Sequence, residues 1–288
     1  MNTIGLLHPG SMGSAVGAQL RRRGHTVLWC PDGRSAASRR RAEDAGLEAV
    51  SLPDLVSRAG VVLSVCPPAA AEAVAVQVAQ CGGQHSDALF VEANALAPGR
   101  VHRIAGRIAP MPVLDAAVIG SPPAGGKQPT LYLSGSGVHC ALVSELFAGT
   151  DVRTHVLGEE VGKASALKLA YSSFQKVSRV LAALAYGAAD TYGVADELVV
   201  LAAKRHRSYL TETDYIGTTA DRAWRWRPEI DDAAVLLADA GFPDSLMLAA
   251  AETLGRWEGL KGTRPDVADA LDALRAAVSA AGDEHDDG

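Results

Sequence analysis

The sequence predicts an α/β protein, with a mostly parallel sheet in its first part and only helices in its second. Three observations predict this fold class. The chain opens with a strand, a glycine-containing turn and a helix; short apolar runs then alternate with helical stretches to about residue 157; beyond residue 160 the strand signals stop. Such alternation is typical of a parallel sheet covered by helices on both faces. We therefore place a sheet domain at residues 1–160 and an all-helical domain at residues 161–288.

The opening segment predicts the phosphate-binding end of a Rossmann-type domain. Residues 3–7 are typical of a buried strand, and residues 15–20 have helical periodicity. A helix that begins directly after a strand offers free backbone N–H groups and a positive dipole end to a pyrophosphate. The dinucleotide fingerprint asks for three glycines, of which Gly10 and Gly13 match the second and third, while His8 occupies the first position. An ordinary strand-to-helix turn is the alternative. The candidate cofactor contacts are His8, Pro9, Gly10, Ser11, Met12 and Gly13.

The turn after the second strand, residues 25–30, bears on which dinucleotide binds. An acidic residue at this point suits the ribose hydroxyls of NAD, whereas arginine suits the additional phosphate of NADP. Asp32 is a candidate for the first case. Arg34 and Ser35 offer a planar guanidinium and a hydroxyl, and together they favour NADP. Arg41, farther along, is interpreted as part of a solvated helix face.

Composition excludes several classes of protein. The chain has 288 residues, 48% of them hydrophobic, which is enough for two cores, and its net charge of -6 argues against a general nucleic-acid binder. The four cysteines have no paired spacing, so we expect reduced core residues in a cytoplasmic protein. Neither a leader nor an apolar run of membrane-spanning length is present, so no membrane partner is expected. The acidic end around His285 is interpreted as a terminal charge run, and no metal site is predicted.

The second part opens with a long predicted helix at residues 163–192. Its apolar residues recur at helical spacing, whereas Lys168, Ser172 and Gln175 lie on another face. On spacing alone, that polar face is typical of a solvent-exposed surface.

The order of these motifs resembles the β-hydroxyacid dehydrogenase superfamily, which includes 6-phosphogluconate dehydrogenase-like enzymes and imine reductases. The resemblance covers nearly the whole chain. The segments that carry it are GLLHPGSMG at residues 5–13, VCPP at 65–68, EANALAP at 92–98, LDAAVIGS at 114–121, GEEVG at 158–162 followed by Lys168, and DRAWRWRPE at 221–229. The last of these is most similar to a phosphogluconate-dehydrogenase-like sub-branch.

The resemblance assigns roles to particular residues. It implies that Cys66 and Pro67 pass the nicotinamide ribose and that Asn94 lies near both nicotinamide and substrate. Gly120 and Ser121 fall in the substrate-binding segment, although Ile119 and Ser121 replace the serine and glycine usual there. Lys168 matches the catalytic lysine of the interdomain helix. Tyr171 and Ser172 stand where asparagines are usual, a departure that bears on the substrate more than on the cofactor.

These roles predict an NADPH-dependent oxidoreductase that transfers a hydride between the nicotinamide and a small hydroxy or keto acid. Lys168 would donate or accept the proton, and Ser172 and Gln175 would provide further polar contacts to the substrate. Reduction of a C=N bond, as in imine reductases, is the close alternative, although retention of Lys168 favours the first. A catalytically silent nucleotide-binding protein, supported by His8 in place of glycine, also stays open.

A homodimer is expected, because the helix at residues 163–192 is apolar over more than one face and the helical half is short for a core of its own. In the family that the chain resembles, these helices pack between subunits. Trp224 or Glu229 from the second subunit would then complete the substrate cleft.

Overall fold

The computed structural model describes residues 2–82, 87–204, 214–239 and 241–282. The chain divides into two compact units, residues 1–174 and residues 175–288. The predicted boundary at residues 160 and 161 lies just before a long helix, whereas the division between compact units falls within that helix.

The first unit alternates strands and helices, as the hydrophobic pattern predicts. Its elements are β1 (Thr3–Leu6), α1 (Ser11–Arg22), β2 (Thr26–Trp29), α2 (Ala36–Asp44), β3 (Glu48–Ala49), α3 (Leu52–Arg58), β4 (Val61–Ser64), α4 (Ala71–Gln80), β5 (Leu89–Glu92), α5 (Pro98–Ile108), β6 (Val113–Ile119), β7 (Thr130–Ser134), α6 (Gly137–Phe147), β8 (Arg153–Val156) and the first half of α7 (Lys163–Thr191).

The described strands form one eight-stranded sheet in the order β3-β2-β1-β4-β5-β6-β7-β8. Pairing is parallel throughout, except that β7 runs antiparallel to β6. The chain order reverses between β1 and β4, which is the switch point where open α/β sheets bind ligands beyond the carboxyl ends of their strands. The turns after these two strands therefore lie at the edge where a dinucleotide is expected.

The sheet separates two hydrophobic cores. β4 is buried on both faces, with Val61 and Leu63 packed in one core and Val62 in the other. The first core contains Leu6 of β1, Leu20 of α1 and Val143 of α6, whereas the second core lies against α3, α4 and α5. This burial explains the continuous apolar run of the strand, since a parallel strand covered on both faces has no solvated side.

The second unit is helical within its described residues. It contains the second half of α7, then α8 (Ala195–Ala202), α9 (Tyr215–Asp239), α10 (Ser245–Gly255) and α11 (Val267–Gly282). Ala220 and Ala223 of α9 pack with Ala270 of α11 around Trp257, whose indole N–H donates to the Ala270 carbonyl at 2.7 Å. Small residues allow these helices to approach closely.

The predicted fold class is confirmed, a mostly parallel Rossmann-type sheet followed by helices. The two-residue strand β3 was not predicted, because both of its residues are exposed and it has no apolar run. Among the described helices, none is both long enough and apolar enough to span a membrane. The acidic end around His285 lies outside the described residues.

Candidate functional site

The glycine turn joins β1 to α1 by a close backbone approach. A Cβ atom on Gly13 would lie 2.1 Å from the carbonyl oxygen of His8, so only glycine fits there. A Cβ on Gly10, in contrast, would have no atom within 4 Å. These are the two properties that the dinucleotide fingerprint requires, tight packing of helix on strand at one glycine and an open approach for phosphate at the other.

The N-terminus of α1 is suited to an anion. Gly10 is the N-cap, no side chain caps the helix, and its first turn contains no acidic residue. The N–H groups of Ser11, Met12 and Gly13 therefore present the positive end of a twelve-residue helix at the turn. A phosphate would supply the acceptors that a capping side chain supplies elsewhere.

The turn after β2 brings Arg34 against His8. Nη1 of Arg34 lies 2.5 Å from Nε2 of His8, and Nη2 donates to the carbonyl oxygen of Leu7 at 3.5 Å. Ser35 caps α2, its hydroxyl accepting from the N–H of Ser38 at 3.2 Å. Burial and then the Arg34 charge lower the pKa of His8 to about 4, so the ring is neutral near pH 7. The first fingerprint position is thus occupied by a side chain in contact with Arg34, the residue that the sequence predicts for the 2′-phosphate.

The structure corrects the interpretation of Arg41. This residue is half-buried, and its Nε donates to the carbonyl oxygen of Pro9 at 3.4 Å while Nη2 donates to Ser38 Oγ at 3.2 Å. The position in α2 turns the side chain towards the glycine turn, which helical periodicity alone could not show. A second guanidinium therefore lies at the edge where the phosphates of a dinucleotide are expected.

A cavity of about 270 Å³ opens beside this turn. Its walls combine apolar side chains with a few polar ones: Leu7, Cys30, Asp32, Arg34, Leu52, Val74, Gln77 and Val78. A small apolar cleft with polar groups at its rim suits an adenine ring and its ribose. Asp32, the candidate for an NAD-type contact, lies in this cleft together with Arg34.

Asn94 fastens the loop after β4 to the end of β5. Its Oδ1 accepts from the Cys66 N–H at 2.6 Å, and its Nδ2 donates to Ser64 Oγ at 3.0 Å and to Oε1 of Glu92. Asn94 is only 4% exposed. The amide that the sequence assigns to substrate and cofactor is therefore engaged within the protein, where it positions Cys66 and Pro67. Burial raises the pKa of the Cys66 thiol, which keeps it in the unreactive protonated form.

Glu92 lies behind Asn94 and is fully buried. Burial raises the pKa of this carboxyl to about 7, an effect that the hydrogen bonds from Asn94 partly oppose. Oε1 accepts from the Asn94 N–H at 3.1 Å, whereas Oε2 has no partner among the described residues. Burial, with no partner for Oε2 within the described part of the chain, thus favours the protonated form of this carboxyl.

Asp115 caps the start of α7 from the sheet. Its Oδ2 accepts from the N–H groups of Gly162 and Ser165, both at 3.0 Å, and from Ser134 Oγ at 2.9 Å. Its Oδ1 accepts from Ser165 Oγ at 2.6 Å, and the Ser134 oxygen in turn accepts from the Ala164 N–H at 3.0 Å. The N–H groups that a helix leaves unsatisfied at its beginning are met by side chains of β6 and β7. This network fixes α7 against the sheet.

Lys168 lies one turn farther along α7 and reaches the end of β6. Its Nζ donates to the carbonyl oxygen of Val118 at 2.7 Å. Gly120 follows two residues later with φ +126°, a conformation that favours glycine, and a Cβ there would lie 3.0 Å from Pro129. The exposed Ser121 comes next. The structure therefore places the Lys168 ammonium beside the segment that the resemblance assigns to substrate.

The other residues predicted for the substrate site lie farther along α7 or in the second unit. Ser172 is half-buried one turn beyond Lys168, and Gln175 is half-buried on the same helix but belongs to the second unit. In the second unit, the Trp224 ring lies 3.7 Å from Nζ of Lys261, a cation–π contact. The Glu229 side chain lies outside the described residues.

Five buried polar residues of the site have no assigned role in the sequence prediction: Ser64, Glu92, Asp115, Ser134 and Ser165. Glu92 and Asp115 each stand in an apolar strand, at positions where a sheet core would otherwise take an apolar side chain. That signal is visible in the sequence, because a charged residue within a buried strand requires partners. Which partners it has depends on pairing across the sheet.

Comparison with known proteins identifies the fold. Residues 189–257 match a family model described as a domain of unknown function, DUF1932. A curated relative from Methanothermus fervidus, an uncharacterized 28.5 kDa protein in the 7S RNA 5′ region, is 27% identical over 174 residues. That match spans 60% of this chain and 65% of the relative's length.

Solved structures are similar over almost the whole chain. A Streptomyces aurantiacus imine reductase has a TM-score of 0.71 at 16% identity, covering 94% of this chain and 99% of its own. An Aspergillus terreus reductive aminase in complex with NADPH and ethyl levulinate has a TM-score of 0.73 at 18% identity, covering 96% and 100%. This chain has their fold.

A conserved protein of unknown function, described as structurally similar to 3-hydroxyacid dehydrogenases, has a TM-score of 0.58 at 22% identity and covers 90% of this chain and 98% of its own. The predicted resemblance to hydroxyacid dehydrogenase-like proteins and imine reductases is thereby confirmed at the level of the fold.

Proposed function

We propose that the protein is an NADP(H)-dependent oxidoreductase that transfers a hydride between the nicotinamide and a small hydroxy or keto acid. One observation carries the proposal. The Lys168 ammonium is held on the Val118 carbonyl, beside Gly120 and Ser121, in the same compact unit as a glycine turn that fits a dinucleotide. The fold supports it, since proteins that share this fold include reductases solved with NADPH.

The dinucleotide would be held by backbone more than by side chains. The N–H groups at the start of α1 would bind the pyrophosphate, and the open side of Gly10 would let it approach. Arg34 and Ser35 would bind a 2′-phosphate, and Arg41 lies beside them on the carbonyl of Pro9. The loop at Cys66 and Pro67, fastened by Asn94, would support the nicotinamide ribose. When bound, the nicotinamide supplies or accepts the hydride.

Lys168 would handle the proton at the substrate oxygen. In reduction, the carbonyl oxygen gains negative charge as carbon accepts the hydride, and the ammonium stabilises that charge and then donates a proton to it. In oxidation, the neutral amine removes the hydroxyl proton. The Val118 carbonyl accepts one of the three N–H groups of the ammonium and so fixes its direction. The backbone N–H of Gly120 and the hydroxyl of Ser121 would bind the substrate carboxylate, with Ser172 of α7 as a further polar contact.

Reduction of a C=N bond is the second candidate. The imine reductase and the reductive aminase that share this fold over nearly their whole length favour it. Lys168 favours the acid, because a cation beside the substrate stabilises a developing alkoxide but repels a protonated iminium group. The two candidates therefore differ in the charge of the group that approaches Lys168.

A substrate screen tests the proposal. The purified protein is assayed with NADPH and with NADH against a panel of small oxo acids and a panel of cyclic imines, following oxidation of the reduced nicotinamide. Turnover of oxo acids supports the first candidate, and turnover of imines alone supports the second. Tight NADPH binding without turnover of either panel would instead indicate a nucleotide-binding protein without catalysis, and absence of binding would overturn the assignment.

We also propose that the protein is a homodimer formed through its second unit. The described part of that unit exposes large apolar side chains on α7 and α8, including Leu181, Val200 and Leu201, the last two at 61% and 62%. Leu181 and Leu201 line a cavity of about 500 Å³ with apolar walls that include Tyr192, Leu237 and Met247. An apolar surface of this kind is typical of an interaction site. Light scattering at micromolar concentration is expected to give twice the 29.8 kDa chain mass; the monomer mass would contradict the proposal.

A further inference from the structure

The residue that departs from the glycine fingerprint, His8, is in contact with the residue predicted to bind the 2′-phosphate. His8 Nε2 and Arg34 Nη1 lie 2.5 Å apart across 26 positions of sequence. Glycine at this position would offer no side chain to Arg34. The contact therefore exists only because this chain has histidine where the fingerprint has glycine.

The direction of the hydrogen bond follows from the chemistry of its two partners. Every guanidinium nitrogen is a donor, so Nε2 of His8 must be the acceptor and Nδ1 carries the ring proton. The lowered pKa of His8 agrees with this, since a protonated ring has no lone pair to offer. At neutral pH the contact joins a neutral imidazole to a cation, which is a charge-assisted bond and correspondingly strong.

This contact occupies one of the Arg34 donors that a phosphate could use. A guanidinium grips a phosphate through two N–H groups at once. In Arg34, Nη1 is directed to His8 and Nη2 to the Leu7 carbonyl, while Nε is buried and has no partner among the described residues. Each Nη keeps one further N–H, so Arg34 stays available to a 2′-phosphate, but a phosphate that uses the Nη1 donor facing His8 must exchange the contact with His8 for its own.

The neighbouring Arg39, Arg41 and Ser35 have hydrogen bonds of their own or carry no charge, so they do not replace Arg34 as a ligand of the 2′-phosphate. Arg39 donates to the Pro31 carbonyl at 2.8 Å, and Arg41 is directed to Pro9 and Ser38. Ser35 contributes a hydroxyl but no charge. Arg34 is thus the guanidinium for which His8 and a 2′-phosphate compete. His8 is its partner without the cofactor, and the phosphate would be its partner when NADP(H) is bound.

We propose that His8 is a specificity-determining residue that competes with the 2′-phosphate of NADP(H) for Arg34 and so limits the preference for NADP(H) over NAD(H). This inference rests on the proposed function, because it requires that a dinucleotide binds at the glycine turn. Beside His8, Arg34 therefore confers a smaller preference for NADP(H) over NAD(H) than the same arginine would confer beside glycine or alanine.

The test measures dissociation constants for NADPH and NADH by fluorescence titration and takes their ratio. The ratio cancels general damage to the turn, since the two cofactors differ only in the 2′-phosphate. The variants are His8→Ala, which removes the acceptor, and His8→Gln, which keeps an acceptor oxygen near the position of Nε2. Both keep a side chain that tolerates the extended backbone imposed by Pro9. Arg34→Ala and the double variant complete a cycle.

His8→Ala is expected to raise the preference for NADPH about tenfold, the scale of one charge-assisted hydrogen bond, while His8→Gln stays within a few-fold of the unmodified protein. Arg34→Ala should lose most of the preference, and in that background His8→Ala should change nothing. An unchanged or lower ratio in His8→Ala, or an equal rise without Arg34, would overturn the inference. If neither cofactor binds the unmodified protein, the proposed function fails instead.

Discussion

Glu92 and Asp115 lie opposite each other on the neighbouring parallel strands β5 and β6, and both are fully buried. Asp115 is surrounded by N–H and O–H donors, whereas Oε2 of Glu92 has no partner among the described residues. The Asp115 charge adds to burial in raising the pKa of Glu92. Asp115 therefore positions the start of the helix that carries Lys168. Glu92 favours its protonated form and lies behind the loop at Cys66.

Glu92 should make stability depend on pH. Its pKa in the folded protein is raised from 4.5 to about 7, so the folded state favours the protonated form. Stability that is present below the unfolded pKa is then lost as pH rises through about 7. The Glu92 contribution to the free energy of unfolding should therefore fall by up to about 3 kcal/mol between about pH 5 and about pH 8, while His8, whose pKa is lowered to about 4, contributes in the opposite direction. Urea denaturation at several pH values measures it.

Glu92→Gln should remove the Glu92 contribution, because glutamine keeps an acceptor for Asn94 but does not titrate. The difference in pH slope between this variant and the unmodified protein therefore separates Glu92 from His8. Glu145→Gln provides the matched control, since Glu145 is exposed and pairs only at 3.8 Å with Arg23. Equal pH slopes in Glu92→Gln and in the unmodified protein would show that Glu92 is ionised throughout.

Asp115→Asn should weaken the attachment of α7 to the sheet. An amide nitrogen replaces one oxygen and meets a donor, so at least one of four buried hydrogen bonds becomes repulsive. We expect a loss of about 2–4 kcal/mol in the free energy of unfolding, measured by urea denaturation. Ser165→Ala is the milder comparison: it removes only the Oγ donor, keeps the N–H bond and should cost about 1 kcal/mol. A similar, small loss in both variants would contradict the capping role.

Gly10→Ala and Gly13→Ala should separate cofactor binding from folding. A Cβ at position 13 would overlap the His8 carbonyl, so Gly13→Ala should lower the free energy of unfolding by about 1–3 kcal/mol. A Cβ at position 10 meets no protein atom, so Gly10→Ala should fold normally and yet bind NADPH at least about tenfold more weakly. Thermal unfolding and NADPH titration measure the two effects. Normal NADPH affinity in Gly10→Ala would place the pyrophosphate elsewhere.

Lys168→Ala should lower kcat once a substrate is known. Loss of general acid catalysis typically costs about a hundredfold to ten thousandfold, while NADPH affinity should stay within a few-fold because Lys168 faces the end of β6. Lys163→Ala is the matched control on the same helix: its exposed ammonium pairs with Glu160 at 3.4 Å and should not affect turnover. Near-normal turnover in Lys168→Ala would show that Lys168 has no catalytic role and belongs to the solvent-exposed polar face that helical spacing alone predicts.

Local patterns were enough to predict the framework. The turn at residues 8–13, the apolar strands such as Val61–Ser64 and the long helix Lys163–Thr191 each follow from periodicity and turn chemistry within a short window. The two-residue strand Glu48–Ala49 has no such local pattern. It is a strand because it pairs with β2, and its own side chains do not indicate one.

The sequence therefore predicts a glycine turn for a dinucleotide at residues 8–13 and Lys168 as the candidate for catalysis, since short contiguous motifs carry both. The partners of polar side chains depend instead on how distant segments meet. Arg34 meets His8 across 26 positions, Asn94 meets Cys66 across 28, and Asp115 meets Ser165 across 50. Buried polar groups must be satisfied by whatever the folded chain brings near, so their roles are fixed by strand order and helix docking.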